Sequence, residues 1–334
     1  SYYFYVLFLI MKKILIIRVS SIGDIVLTTP LLRCVKNQTN AQIHFLTKEQ
    51  YVPIVDSNPY IDRVIVFKKN LQYVLQKLKP ENYNYIIDLH HNFRSLWVRI
   101  SLGIPSCTIK KENWKKYLLI YLGINILKNH VVNRYFQAIN KLSIVNDNKG
   151  LDYFLPPNIK VDFNVSQGFI AWCIGASHYQ KSLSVEQVVN VCNNLSFPVV
   201  LLGGIQEKEK AISIVANSSN SRVFNFCGKL SLNESAFLIK NSLLVLTNDT
   251  GLMHIAAALQ KPIISFWGCT KPILGFTPYM NQNYCVNIVF NPQKPPCSRH
   301  GSMCRVQKGG CVKNIDYNLI LKSIADVNQN YTIH

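Results

Sequence analysis

Acidic residues are scarce in this chain. Seventeen Asp and Glu stand against 36 Lys and Arg, a formal net charge of +19. Such a field favours polyanions, whether nucleic acid, anionic membrane surfaces or phosphorylated substrates. A composition simply rich in Lys, Asn and Ile explains it equally well. No RNA-binding signature, zinc-finger spacing or long basic block accompanies the charge, so nucleic acid is not an expected partner. Long apolar runs are also missing. The first ten residues, SYYFYVLFLI, are too short to span a bilayer and lack a signal peptide's basic leader and cleavage site. They read as a lead ahead of Met11 with no role in the fold, a membrane-surface anchor being the alternative. With no other segment resembling a transmembrane helix, a cytoplasmic location is expected. The dinucleotide fingerprint G-x-G-x-x-G is absent, which disfavours an NAD-dependent oxidoreductase, and so is the P-loop G-x-x-x-x-G-K-[ST]. No Asp-x-Asp pair stands at a strand end to hold a divalent ion against a diphosphate.

Of the ten cysteines, Cys34, Cys107, Cys173, Cys192 and Cys227 lie in apolar or mixed segments and read as small buried hydrophobes in a reducing compartment. The tail PPCSRHGSMCRVQKGGC carries Cys297, Cys304 and Cys311, but not the paired C-x-x-C of a strong zinc site. It reads as a loop with free thiols, with a metal held alongside His300 as the weaker alternative. No metal ligand and no cofactor is assigned.

The chain has 334 residues, about half of them apolar. Roughly 150 residues per domain is usual, so two domains are expected, and the composition excludes disorder. Short β-branched runs alternate with helical patterns: KILIIR, QIHFL (42–46), VIVF (64–67) and YIIDL (85–89) as strands, with helices over Asp24 to about Val35 and Leu71–Leu78. A less regular helical region runs from Trp114 to Leu142. After the prolines Pro156 and Pro157 the rhythm restarts with GFIAWCI (168–174), PVVLL (198–202), LLVLT (243–247) and PIISFW (262–267). Helices over Ser184–Leu195 and Gln206–Ala216 lie between them, and a last one over Asp316–Val327 is a candidate to pack across both domains. This is the βαβ order of parallel sheets covered on both faces. It implies one α/β domain over 11–155, a linker over 156–167 and a second domain over 168–334. Ligands of such sheets bind beyond the carboxyl ends of the strands, so both domains should turn those ends to a common cleft.

Four segments sit at such strand ends. RVSSIGDIVLTTP places Asp24 shortly after the first strand. Ser20 or Ser21 could cap the following helix with Asp24 favourable in its first turn. A carboxylate there is equally well placed as a general base. CIGASHYQKSLS ends a strand in small residues, with Ser177 and then Lys181. That lysine could meet phosphate as a point charge, although an ordinary loop with a surface lysine is the stronger reading of this segment alone. In LLGGIQEKE, Glu207 could accept from ribose hydroxyls or simply favour a helix N-terminus. LLVLTNDTGLMHIAAAL is the most informative. Thr250 and Gly251 open a helix whose free N–H groups suit a diphosphate. Asp249 could be its N-cap, and His254 either a core residue or a ligand contact.

SSIGDIVLTTP, GASHYQK, GGIQE and NDTGLMHIAAAL, in this order, resemble glycosyltransferase family 9, which contains the lipopolysaccharide heptosyltransferases. The resemblance runs from Met11 to about Val312. It implies a GT-B architecture of two Rossmann-like, doubly wound parallel-sheet domains facing a central cleft, the first taking the acceptor and the second the nucleotide sugar. It implies inverting, metal-independent transfer, with ADP-heptose as donor and an anionic lipid-linked glycan, the lipopolysaccharide inner core, as acceptor at the inner face of the inner membrane. Carried over by motif, Asp24 matches the catalytic base and Lys181 a lysine on the donor phosphates. Glu207 falls, more loosely, at the ribose. Asp249, Thr250 and Gly251 match the diphosphate segment, with Ser177 and His254 also on the donor side. Arg18, Ser21, Gly23 and Arg94 fall on the acceptor side. The loop DLHHNFR departs from the enterobacterial pattern in its two histidines. Another surface-glycan transfer and a non-catalytic binding module are the competing readings.

Overall fold

The computed structural model describes residues 12–331 apart from 165, 167 and 281–283. The lead of residues 1–10 lies outside the described residues. The chain divides into two compact units, one running to Glu112 and including Asn129–Phe154, the other made of Asn113–Lys128 and everything from Leu155 on.

The first unit is a five-stranded parallel sheet in the order β3-β2-β1-β4-β5. Its strands are β1 (Lys13–Ile17), β2 (Gln42–Thr47), β3 (Arg63–Val66), β4 (Tyr85–Asp88) and β5 (Ser106–Thr108). Ile14, Leu15, Ile16 and Ile17 are all fully buried, as a central strand covered on both faces requires. The connecting helices are α1 (Ile22–Val26), α2 (Thr29–Thr39), α3 (Val52–Val55), α4 (Leu71–Leu78) and α5 (Phe93–Leu102). The single helix expected over Asp24–Val35 is therefore two. Pro30 has no N–H for the Val26 carbonyl, and the Thr29 hydroxyl donates to that carbonyl instead (2.8 Å), as Thr28 does to Ile25 (2.7 Å). Of the irregular stretch 114–142, α6 (Asn113–Leu122) groups with the second unit and α7 (Val131–Ala138) with the first.

The second unit has six parallel strands in the order β11-β10-β9-β6-β7-β8. They are β6 (Ile170–Cys173), β7 (Val199–Leu202), β8 (Val223–Asn225), β9 (Leu244–Asn248), β10 (Ile263–Trp267) and β11 (Cys285–Val289). Between and after them come α8 (Val185–Asn193), α9 (Lys208–Asn217), α10 (Leu232–Asn241), α11 (Gly251–Ala258) and α12 (Tyr317–Tyr331). Ser184 with Gln187, and Ser231 with Glu234, form capping boxes that start α8 and α10. Ile320, Ile324 and Val327 of α12 enter the same core as Trp172, Val188 and Leu246. The edge strands β5, β8 and β11 escape a sequence reading because their half-exposed residues form no apolar run.

Both sheets reverse strand order once on either side of their first strand, between β1 and β4 and between β6 and β9. The crevice beyond the carboxyl ends at such a reversal is where doubly wound sheets bind ligands.

Candidate functional site

In the first unit the chain leaving β1 enters that crevice. Arg18 donates to the carbonyls of Ser20 (2.8 Å) and Leu89, and its Nη2 lies 2.8 Å from Asp24 Oδ1. Ser21 donates twice to Asp24 Oδ2, from its N–H (3.3 Å) and its hydroxyl (2.9 Å). Gly23 is buried within the same short helix α1. Burial alone would push the Asp24 carboxyl up. The Arg18 guanidinium and the two Ser21 donors outweigh it and hold it below the ordinary carboxylate value. A carboxylate oxygen offers two lone pairs. Oδ2 has both engaged by Ser21, whereas Oδ1 has one engaged by Arg18 and one to spare. The side chain is 27 % exposed. Asp24 thus caps its helix and still keeps an accepting position.

From β4, Asp88 accepts the N–H groups of His90 (3.0 Å) and His91 (2.8 Å) through one oxygen. Burial, then the Arg18 charge, pushes the His90 imidazole down to about 4, so it is neutral near pH 7. Arg94, in the first turn of α5, is exposed and has no ion-pair partner among the described residues.

In the second unit β6 and β9 supply the two halves of one cluster. Lys181 is 7 % exposed, and its ammonium lies 2.6 Å from Asp249 Oδ2 and 3.5 Å from the exposed Ser177 hydroxyl. Thr270, beyond β10, also donates to Asp249 Oδ2 (2.8 Å). Asp249 is therefore not the cap of α11. That helix begins at Gly251 with Thr250 as N-cap, and the Thr250 side chain makes no capping bond. Among the described residues no side chain takes its first-turn N–H groups, which leaves them for another acceptor. His254, one turn on, is buried. Asn248 binds the strands together by donating to the carbonyls of Ile174 (3.0 Å) and Gly175 (3.2 Å).

Glu207 accepts the Gly204 N–H (2.8 Å), and its carboxylate lies against Gly175, where a Cβ would stand 3.1 Å from Glu207 Cδ. It thus faces the end of β6 while serving as the N-cap of α9.

The structure brings Arg18, Ser21 and Asp24 together in one unit and Ser177, Lys181 and Asp249 in the other. Arg94 stays apart from the Asp24 group in terms of direct contact. Thr270 and Lys210 escape sequence reading. Lys210 donates to the Leu183 carbonyl (2.6 Å), and burial, then Lys313, pushes its ammonium down to about 8. No motif marks either residue, because their partners are distant in sequence. The tail cysteines are joined by a fourth, Cys269. Its Sγ and those of Cys297, Cys304 and Cys311 all lie within 4.8 Å of one another, and His300 is not part of the group.

A family model described as Glycosyltransferase family 9 (heptosyltransferase) matches residues 72–306. The chain belongs to glycosyltransferase family 9. Among curated relatives, lipopolysaccharide heptosyltransferase 1 of Campylobacter coli is 24 % identical over 290 residues, 77 % of this chain and 84 % of that protein. Lipooligosaccharide heptosyltransferase 2 of Haemophilus influenzae is 25 % identical over 299 residues, 78 % and 84 % of the two chains. Solved structures share the fold. The family 9 glycosyl transferase of Veillonella parvula superposes with a TM-score of 0.79 at 18 % identity, covering 96 % of this chain and 98 % of its own. ADP-heptose LPS heptosyltransferase II of E. coli gives 0.72 at 20 % identity, covering 95 % and 99 %.

This family 9 chain is accordingly a glycosyltransferase of the GT-B fold class, with two Rossmann-like parallel-sheet domains. The matched region 72–306 contains Lys181, Glu207 and Asp249, whereas Asp24 precedes it. Among the described residues no helix is long and apolar enough to cross a membrane.

Proposed function

We propose that this glycosyltransferase moves heptose from ADP-heptose to the inner core of lipopolysaccharide with inversion at the anomeric carbon. In this reading the first unit binds the acceptor and the second the donor. An acceptor hydroxyl attacks the anomeric carbon and passes its proton to Asp24 Oδ1 as the bond to the diphosphate oxygen breaks. A sugar hydroxyl is a poor nucleophile near neutral pH, so a carboxylate held ionised and with an accepting position is suited to that step. ADP departs carrying the charge. Lys181 and the open start of α11 stabilise that charge as it grows, and Glu207 serves the ribose. These groups supply what a divalent ion would otherwise supply, so the chemical step runs without a metal.

The observation that carries this reading is the Lys181–Asp249 pair beside an uncapped helix start, at the strand-order reversal of the second sheet. The names of the relatives, lipopolysaccharide and lipooligosaccharide heptosyltransferases, support the sugar and the acceptor. Helix α5 supports an acceptor at a lipid surface. Phe93 (78 % exposed), Leu96, Trp97 and Ile100 (69 %) are exposed at i, i+3, i+4 and i+7, with Arg94 beside them. An apolar stripe flanked by a cation is the pattern of a helix lying on an anionic bilayer. This supports peripheral contact with the inner face of the inner membrane.

Mass spectrometry of a Kdo-bearing core acceptor tests the proposal, with ADP-heptose and UDP- or GDP-sugars offered separately. One added heptose from ADP-heptose alone is expected, at a rate unchanged by EDTA in the assay. Transfer from another nucleotide sugar would overturn the donor. Binding of ADP-heptose with no transfer would favour a binding module. Activity lost in EDTA and restored by magnesium or manganese would overturn the metal-free step.

A further inference from the structure

We propose that Cys269, Cys297, Cys304 and Cys311 form a tetrathiolate site for one structural divalent cation of the Zn²⁺ or Fe²⁺ class. Among the described residues this is the one group of three or more His, Cys, Asp or Glu side chains gathered closely enough to hold an ion. Zinc-to-sulfur bonds of about 2.3 Å in a regular tetrahedron put the sulfurs about 3.8 Å apart. Here Cys269 and Cys311 are separated by 3.8 Å and Cys297 and Cys304 by 3.9 Å. Three of the four side chains are buried and Cys304 is half-buried. Ordinary hydrophobic packing of cysteines does not require four sulfurs to converge from two separate chain segments, the bend just after the end of β10 and the tail loop. Four protein ligands also leave no open position for a substrate, so the cation is structural and this proposal stands apart from the transfer chemistry.

The backbone is shaped to bring the sulfurs together. Gly268 sits so close to Val312 that any Cβ there would collide with its backbone. The Cys297 N–H donates to the Cys269 carbonyl (2.8 Å). Gly310, at φ +100°, presses against Gln180 in a way no side chain would allow.

What the cation would hold is also visible. The cysteine loop buttresses the turn that carries Lys181. Gln180 donates to the Ser302 carbonyl (3.2 Å), Tyr179 to the Lys308 carbonyl (3.1 Å), and Gly301 packs on the Lys181 stem. Thr270, next to Cys269, donates to Asp249. On its other side Arg305 donates to the Ile120 carbonyl (2.7 Å) and covers the Tyr121 ring, tying α6 to the second unit. Four thiols lose their protons on binding, and the binding energy becomes folding energy for a loop with little secondary structure of its own.

The test is metal analysis of the full chain purified under reducing conditions without added metal. About one equivalent of zinc or iron per chain is expected, and the element found names the ion. Exchange with Co²⁺ should give the strong sulfur-to-cobalt charge-transfer and visible bands of a tetrahedral tetrathiolate. Cys304→Ser should lose the metal at least tenfold more readily, whereas Cys107→Ser should retain it. Should Cys304→Ser fail to fold, alkylation of the native chain decides. Cys297, Cys304 and Cys311 should resist iodoacetamide when loaded and react after a strong chelator displaces the ion. Less than a tenth of an equivalent of metal together with no thiolate bands from Co²⁺ would overturn the site. So would equal alkylation before and after displacement.

Discussion

Each sheet places an acid–base pair at its strand-order reversal, and the two pairs are built differently. In the first unit Asp24 meets a guanidinium at 2.8 Å; in the second Asp249 meets an ammonium at 2.6 Å. Arg18 is fixed by two backbone carbonyls as well, so its fork stays in place and permanently charged. It serves the carboxylate. Lys181 is a point charge on a flexible stem, and Asp249, itself steadied by Thr270, serves the lysine. The pair in the first unit leaves one carboxylate oxygen partly engaged, whereas the pair in the second holds a buried ammonium close to the end of β9. In the proposed reading one fold plan offers a proton acceptor at one reversal and an anion site at the other.

Replacing the acid of the first pair should have the largest effect. Asp24→Asn is expected to lower kcat about 10²–10⁴-fold, the range of general-base catalysis, with ADP affinity unchanged by calorimetry. Near-wild-type turnover would reduce Asp24 to the cap of α1. Lys181→Ala should differ in kind by weakening ADP binding about tenfold or more, as a charge-assisted hydrogen bond of about 1.5–3 kcal/mol implies, and by slowing the chemical step further. Unchanged affinity and rate would remove Lys181 from the donor site.

The pH–rate profile sharpens the contrast. Asp24 is held below its ordinary value, so it is ionised across the neutral range, and its contribution is lost only as the pH falls through that lowered value. In Arg18→Met burial is left as the dominant influence, and the acid limb should move up by about 1–3 pH units. In Lys181→Ala the acid limb should stay where it is. A shared shift in both variants would mean that the limb does not report Asp24.

The smallest effect is expected from the exposed cation of α5. Arg94→Ala should raise the acceptor KM by about fivefold, the equivalent of ~1 kcal/mol for a basic residue near an anionic surface. That difference should fade at high salt, because exposed charges are screened over about 8–10 Å. A KM equal to wild type at every salt concentration would detach the net charge from acceptor capture.

Much of this was legible in one dimension because the signals are local. A central strand buried on both faces must be apolar throughout, so KILIIR, PVVLL and PIISFW stand out. Asp24, Lys181 and Asp249 follow such runs, so their places at strand ends could be read as well. Pro30 splitting α1 from α2 was a local signal too, but it competed with a continuous apolar pattern.

What the sequence by itself determined is the two-unit parallel α/β order and the strand-end positions of the candidate site residues. Backbone hydrogen bonding and burial impose those patterns on neighbouring residues. The tertiary structure alone decided partners. Thr270 reaches Asp249 across 21 positions, α6 joins the unit that follows rather than the one that precedes it, and Cys269 meets Cys311 across 42. Such meetings depend on which strands pair and where the chain crosses over. No local spacing records that, because chain closure over tens of residues costs little that depends on sequence.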